Sequence, residues 1–189
     1  MKKLLLVCLL TLLSFSALAG WQLDSKQSLI NFVSIKKSTI AEVHHFKSLS
    51  GGVEDGVAKI SIDLLSVETN IPIRNERMQS LLFDTSKYSS AFITATIDTS
   101  KLNSLTVGQR YQEELELKLD LHGITNNITA TVSVTKLSDD SIMVHSVSPV
   151  ILKASDFGLD QGIEALRSIA KLPVISLAVP VTFNLIFSK

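Results

Sequence analysis

The chain has 189 residues, of which 18 are basic, 18 are acidic and 46% are hydrophobic. This length is typical of a single domain that can enclose a substantial core. The balanced charge gives no electrostatic footprint for a nucleic acid or an anionic membrane, so neither is an expected partner.

The first residues have the features of a secretory signal peptide. Lys2 and Lys3 precede an apolar run at 4–13 that only Thr11 interrupts, and an Ala-Leu-Ala sequence at 17–19 offers a cleavage site. The run is too short to span a bilayer comfortably, and no later segment is long and uncharged enough for a membrane helix. We therefore expect residues 1–19 to be removed, which leaves a secreted domain at 20–189 with no stable membrane insertion.

Removal of this segment also removes the only cysteine, Cys8. The mature chain would therefore have no disulfide, no thiolate nucleophile and no cysteine metal ligand. It would keep 16 basic and 18 acidic residues, a net charge near −2. Such a fold must be stabilised by burial alone.

Strand-like patterns begin early in the mature chain. Residues 29–36 predict a strand with weak alternation. The segment 58–64 alternates more clearly, because Ala58, Ile60 and Ile62 share one face while polar residues take the other.

The segment 69–90 interrupts this pattern. It contains Pro72, two arginines and a compact apolar group that includes Met78, Leu82 and Phe83. A long crossover with a short helical turn, packed over one mouth of a barrel, accounts for this composition better than a structureless loop. A further strand of weak alternation is predicted at 91–99.

The clearest strand pattern occurs at 114–122, where leucines at 115, 117, 119 and 121 alternate with charged residues and a histidine. Turn residues follow at 123–127, and a second alternating run occupies 128–135. Together these segments predict an antiparallel hairpin.

The last part of the chain predicts one helix and one long strand. Asp160 is a candidate N-cap for a short amphipathic helix over 160–171, which Pro173 follows. From 174 to 187 apolar residues recur at every second position, but Pro180 cannot donate a ladder hydrogen bond. We expect a bulge or an edge there, and an unpaired edge of this kind makes a homodimer possible.

These elements predict an all-β fold, an antiparallel barrel of about eight strands with one or two short helices. A long sheet with one apolar face must cover that face, and too few helices are predicted to do so. The interior of such a barrel is either filled by side chains or holds one small ligand. Apolar walls cannot stabilise a buried charge, so an occupant must be largely hydrocarbon.

Seven motifs occur in order along the mature chain. They are Trp21-Gln22-Leu23-Asp24, Ser28-Leu29-Ile30-Asn31-Phe32, Ser66-Val67-Glu68-Thr69, Arg74-Asn75-Glu76-Arg77-Met78, Leu82-Phe83-Asp84, Leu121-His122-Gly123-Ile124-Thr125 and Asp156-Phe157-Gly158. Taken together, they resemble the YceI-like family of secreted lipid- and polyisoprenoid-binding proteins. The resemblance implies a lipocalin-like barrel, an interior that accommodates an isoprenoid, an isoprenoid quinone or a fatty-acid-like amphiphile, and a periplasmic location. Asn75 and Arg77 stand where the family usually has an acidic residue and a histidine.

Eleven apolar residues are the candidates for the ligand-binding wall, although each could equally be ordinary core. They are Phe32, Phe46, Ile60, Ile62, Phe83, Phe92, Leu117, Leu119, Val179, Val181 and Phe183. Arg74 and Arg77 on the crossover are candidates for binding a polar head group. Alternatively, they pair with Glu76, Asp84 or backbone carbonyls and fix the crossover.

No catalytic residue, metal site or cofactor other than a bound lipid is expected. His44 and His45 are neighbours on a strand and point to opposite faces, so they cannot easily share an ion. Two alternatives to a lipid carrier stay open: an envelope stress or interaction protein with a packed barrel, and an enzyme acting on a bound lipid. The second needs a titratable pair facing the cavity, and the sequence places none.

Overall fold

The computed structural model describes residues 20–189. The expected signal peptide at 1–19 therefore lies outside the described residues. Twelve strands make up most of the described part of the chain. They are β1 (Trp21–Leu23), β2 (Leu29–Lys36), β3 (Ile40–Phe46), β4 (Leu49–Glu54), β5 (Val57–Asp63), β6 (Val67–Glu68), β7 (Ser90–Thr96), β8 (Arg110–Leu121), β9 (Ile124–Ser138), β10 (Ser141–Ser146), β11 (Val150–Lys153) and β12 (Ala178–Ser188).

Eight of these strands close into an antiparallel barrel, which confirms the predicted fold class. The ring runs β1, β4, β5, β7, β8, β9, β10, β12, and the pairing of β12 with β1 closes it. The remaining strands extend the sheet beyond the ring. β2 pairs with β12 and continues through β3 to β6, while β11 pairs with the first residues of β12. At one end of the barrel the sheet therefore extends beyond the eight-strand ring.

The β8–β9 hairpin is the longest pairing in the barrel and matches the strongest sequence signal. Its register runs from Arg110 opposite Thr135 to Leu121 opposite Ile124. The turn requires positive φ at both His122 (56°) and Gly123 (75°), a geometry that fixes a two-residue hairpin. On the inner face, Leu117 and Leu119 are buried against the core.

β12 begins four residues later than the sequence predicts, at Ala178 rather than Val174. On one edge Pro180 pairs with Ile151 of β11, whereas on the other edge the ladder with β2 starts only at Val181. The missing proline N–H therefore falls where no ladder partner requires it, in agreement with the expected edge rather than a bulge at this position. Leu177, before the strand, is exposed.

The described residues contain three short α-helices, one more than the one or two expected. α1 (Pro72–Arg77) begins the crossover and continues into a π-helical turn at Met78–Leu82, α2 spans Thr99–Ser104 and α3 spans Asp160–Ile169. The missed helix, α2, lies at the end of the segment predicted as a strand, where the Asp98 carboxylate accepts a hydrogen bond from the Ser100 N–H.

The crossover and α3 pack against each other over one region of the barrel. Gly162 makes this possible, because a Cβ at that position would press against the backbone of Leu81 and Leu82. Asp160 is the first residue of α3 and not its N-cap; Leu159 precedes the helix without a capping side chain. Between residues 20 and 189, the helices are too short or too polar to cross a bilayer.

At Gly51 the backbones of β4 and β5 lie so close that there is no room for a side chain. Gly51 has a φ of 137°, and a Cβ there would overlap the carbonyl oxygen of Lys59 on β5. We expect Gly51→Ala to lower the free energy of unfolding by about 3 kcal/mol or more, measured by urea denaturation.

Gly108 provides the matched control, because its φ is also positive (85°) but a Cβ would meet no atom within 4 Å. Gly108→Ala should cost only about 1 kcal/mol for the backbone conformation. Equal losses in the two variants would contradict a steric role for the β4–β5 contact.

Candidate ligand-binding cavity

The barrel encloses a cavity of about 560 Å³. This volume lies within the range of sites that bind small molecules, about 300–1,000 Å³. Side chains from the ring strands, from β2 and β3, from the crossover and from α3 line it, and most of them are apolar. A barrel filled with its own side chains, the alternative that the sequence left open, does not fit this volume.

Ten of the eleven predicted wall residues line the cavity. They lie on β2, β3, β5, β8, β12 and the crossover, which the closure of the sheet brings round one space. The ten are Phe32, Phe46, Ile60, Ile62, Phe83, Leu117, Leu119, Val179, Val181 and Phe183.

The prediction for Phe92 is wrong. Its side chain is 50% exposed on the outer face of β7 and does not line the cavity. Successive side chains on a strand point to opposite faces. Since the smaller Ala91, Ile93 and Ala95 take the inner face, the aromatic residue between them must face outward.

Three phenylalanines form the aromatic part of the wall. The ring centroids of Phe32 and Phe46 are 5.3 Å apart, and those of Phe46 and Phe83 are 5.9 Å apart, with tilted rings. Phe83 follows the π-helical turn, so this cluster joins the crossover to β2 and β3. The contact holds the crossover against the cavity through apolar burial.

A cluster of polar groups lines the cavity where β2, β3 and α1 meet, and Glu113 on β8 is a further charged residue of the wall. Arg74 on α1 donates from Nη1 to Glu42 Oε2 at 2.9 Å and from Nη2 to the Thr69 carbonyl at 2.6 Å. Lys36 on β2 reaches the same Glu42 oxygen at 2.7 Å. Hydrogen bonding from Lys36 is the main cause that lowers the pKa of Glu42 below its usual value. Glu42 thus braces α1 to the β2–β3 hairpin.

Arg74 binds a backbone carbonyl, as one of the alternatives from the sequence expects. Its carboxylate partner is Glu42 and not Glu76 or Asp84. Arg77 also lines the cavity and is half-buried. Within residues 20–189 no carboxylate lies in ion-pair distance of Arg77. The sequence could not reveal Glu42 as the partner, because 32 residues separate it from Arg74.

Asn75 stabilises the crossover through Glu68. Its side chain donates to Glu68 Oε1 at 3.0 Å and accepts from the Thr69 N–H and hydroxyl. Hydrogen bonds from Lys47 and then from Asn75 lower the pKa of Glu68 to about 2. An acidic residue at position 75 could not donate to this carboxylate, so the amide suits this site.

His44 is the most buried polar side chain on the cavity wall, with 2% of its surface exposed. Its Nε2 lies 2.8 Å from the Ser34 hydroxyl, and its ring lies 5.2 Å from that of Phe32. Burial, and next the positive charge of Arg74, lower the pKa of His44 to about 4. The imidazole is therefore neutral at pH 7.

The histidines do not assemble a metal centre in the described region. Across residues 20–189, no three His, Cys, Asp or Glu side chains are grouped so that they could hold an ion. His45 pairs with Glu68 of β6 in the sheet, while His44 faces the cavity. His122 contacts the Phe157 carbonyl at 3.3 Å and stacks near Tyr88, which anchors the β8–β9 turn.

Comparison with protein families identifies the barrel. The YceI-like domain matches residues 21–187, nearly all of the described chain. The chain belongs to the YceI-like family. A comparison with curated proteins gave no match.

Solved structures of YceI-like and related proteins share the fold. A polyisoprenoid-binding domain from Saccharophagus degradans, implicated in plant cell wall breakdown, is 43% identical, with a TM-score of 0.88; the match covers 89% of this chain and 98% of that domain. Burkholderia cenocepacia BcnA is 20% identical over 87% of this chain and 98% of its own, with a TM-score of 0.67. The second likeness shows the fold alone.

The buried state of His44 predicts a pH dependence of stability for this YceI-like domain. The unfolded chain takes up a proton near the usual His pKa of 6.5, whereas the folded protein does so only near pH 4. The unfolded state therefore binds more protons between these values, and stability is lost as the pH falls from 6.5 to 4. We expect this loss to be about 1–3 kcal/mol.

Urea denaturation of the wild type and of His44→Gln between pH 4 and pH 8 measures this effect. The variant keeps the carboxylates that also titrate near pH 4, so the difference between the two curves isolates the histidine. Parallel curves would contradict a neutral, buried His44.

Proposed function

We propose that this chain binds a long apolar lipid, of the isoprenoid, isoprenoid quinone or fatty-acid-like class, inside its barrel. The single observation that carries the proposal is the apolar cavity of about 560 Å³ inside the barrel. The 43% identical relative from Saccharophagus degradans is described as a polyisoprenoid-binding domain, which supports the same class of ligand here.

Burial of hydrocarbon provides the binding free energy in this proposal. Each methylene that leaves water contributes about 0.8 kcal/mol, and part of this gain offsets the ordering of the chain. The wall carries branched and aromatic side chains with few polar atoms, so it rejects a charged group at its centre. A long, weakly polar tail is the ligand that such a wall favours.

The polar end of the lipid lies, in this proposal, near the crossover. Arg74 and Arg77 both line the cavity there, and each can donate charge-assisted hydrogen bonds. Arg74 already braces α1 to Glu42, whereas Arg77 has no such ion pair among residues 20–189. Arg77 is therefore the better candidate for an exposed head-group contact.

The proposed role is binding without catalysis, for transport, storage or protection of the lipid in the periplasm. Among the described residues, both carboxylates that line the cavity are held in ion pairs, Glu42 to Lys36 and Arg74 and Glu113 to Lys101. The periplasmic location rests on the signal-peptide pattern at 1–19 and on the family.

Mass spectrometry of an organic extract tests the proposal. The extract is taken from protein purified without detergent from its own host, and a lipid in near-stoichiometric amount is expected. Protein that releases no lipid, and that takes up none when incubated with prenols or fatty acids, would contradict the proposed function.

A cavity-filling substitution provides a second test. Ala95 on β7 is 7% exposed and lines the cavity, while Thr96 next to it faces outward and is exposed. We expect Ala95→Phe to reduce bound lipid at least about fivefold, because the added ring occupies space that the ligand needs.

Thr96→Phe adds the same ring on the outer face and should leave lipid content unchanged. Lipid is quantified per folded protein, with folding verified by near-ultraviolet circular dichroism. Equal lipid content in both variants would place the ligand outside the barrel.

A further inference from the structure

Two buried nitrogen atoms on the cavity wall have no hydrogen-bond partner among residues 20–189. They are His44 Nδ1 and Arg74 Nε, and both residues line the cavity. Buried polar atoms are nearly always hydrogen-bonded, and an unmade bond is costly. Ser133 Oγ and His145 Nδ1 also lack a partner in the described chain but lie away from the cavity, so only the first two atoms belong to residues that a bound ligand could contact.

Glu42 links the two residues that carry these atoms. It lies two residues from His44 on β3, so both side chains are on the same face of the strand. Its carboxylate also accepts from Arg74 at 2.9 Å. The charge of Arg74 contributes to the lowered pKa of His44, as expected for neighbouring groups.

The chemistry of the two atoms restricts their ligand. Arg74 Nε–H can only donate, so the group must present an oxygen lone pair. His44 Nδ1 donates when Nε2 accepts from the Ser34 hydroxyl, and it accepts when Nε2 donates to that hydroxyl. A hydroxyl satisfies either tautomer, and a carbonyl satisfies the first.

The carboxylate of Glu42 disfavours an anionic group at His44 Nδ1 and Arg74 Nε, whereas an anion would suit Arg77, which lines the same cavity without an ion pair among residues 20–189. Glu42 already occupies the guanidinium of Arg74, and Lys36 binds the same carboxylate. A phosphate or carboxylate would lie beside Glu42 and would have to compete with it for Arg74, whereas an uncharged oxygen requires no such displacement.

We propose that His44 Nδ1 and Arg74 Nε form a polar notch that binds an uncharged oxygen, a hydroxyl or a carbonyl, at the end of the lipid. This inference rests on the proposed function and deepens it, because it specifies the polar end of the ligand. It also places that end within the cavity wall.

The test compares three ligands that share one C20 isoprenoid tail: geranylgeraniol, its phosphate ester, and the hydrocarbon in which hydrogen replaces the hydroxyl. Equilibrium binding of the tritiated lipids to delipidated full-length protein gives three dissociation constants. The measured quantity is the alcohol preference, the ratio of the hydrocarbon constant to the alcohol constant. A variant that alters only tail binding changes both constants by the same factor and leaves this ratio unchanged.

Two amide substitutions distinguish the roles of the two ring nitrogens of His44. The side-chain amide of Gln places its polar atoms at the same number of bonds from Cβ as Nε2, and the amide of Asn places them at the same number of bonds as Nδ1. His44→Gln therefore keeps the contact with Ser34 but removes the notch, and should reduce the alcohol preference about three- to tenfold. His44→Asn, which restores a polar atom near Nδ1, should recover most of that preference.

His145 supplies the matched control. Its Nδ1 is also buried without a partner, but the residue does not line the cavity. His145→Gln should leave the alcohol preference unchanged. Arg74→Lys, which removes Nε while keeping a cation for Glu42, gives an independent second variant should His44→Gln fail to fold; it should also lower the preference.

The outcomes distinguish the inference from the proposed function. An alcohol preference that neither His44→Gln nor Arg74→Lys alters would overturn the notch, while tail binding would still stand. Tighter binding of the phosphate ester than of the alcohol, abolished by either variant, would overturn the uncharged ligand. Failure of the wild type to bind any of the three lipids would overturn the proposed function itself.

Discussion

Closure of the sheet is the constraint on which the rest of this structure depends. Once β12 pairs with β1, every inward side chain of the ring faces the same enclosed space. Water in that space would contact mainly apolar atoms, and apolar burial is the main favourable contribution to folding. The ring is wide enough that its own side chains leave about 560 Å³ unfilled. The fold therefore creates a space suited to hydrocarbon.

The strands beyond the ring give this space a polar end. β2 and β3 extend the sheet past β1 and β4, and Glu42 and His44 lie on this extension. The crossover supplies Arg74 from the opposite side, so the polar groups meet where the extension and α1 come together. In the proposed function, tail burial and head-group contact are consequently provided by different parts of the barrel.

Much of the barrel could be predicted from alternation alone, because the core demands one apolar face from each strand. The β8–β9 hairpin and the seven wall residues of β5, β8 and β12 follow from this rule. Phe92 shows where it fails: alternation at 91–99 is weak, because the inner face of β7 carries Ala91 and Ala95, whose small side chains give little signal. The start of β12 was misplaced because Ile175 makes only an isolated bridge to Lys36.

The polar end of the cavity was less predictable. Glu42 had no local signal, since its partner Arg74 is distant in sequence and only the closed sheet brings them together. His44 was considered as a metal ligand, and a strand pattern alone cannot reveal that one of its nitrogens lacks a partner. Contacts of this kind depend on tertiary geometry rather than on spacing along the chain.

A crystal structure of the protein purified from its own host, without detergent or added lipid, would show whether the barrel holds a lipid. We expect continuous, tube-shaped electron density inside the ring that begins beside His44 and Arg74. A cavity that holds only ordered water, or that has collapsed so that Phe32, Phe46 and Leu117 fill it, would contradict lipid binding inside the barrel.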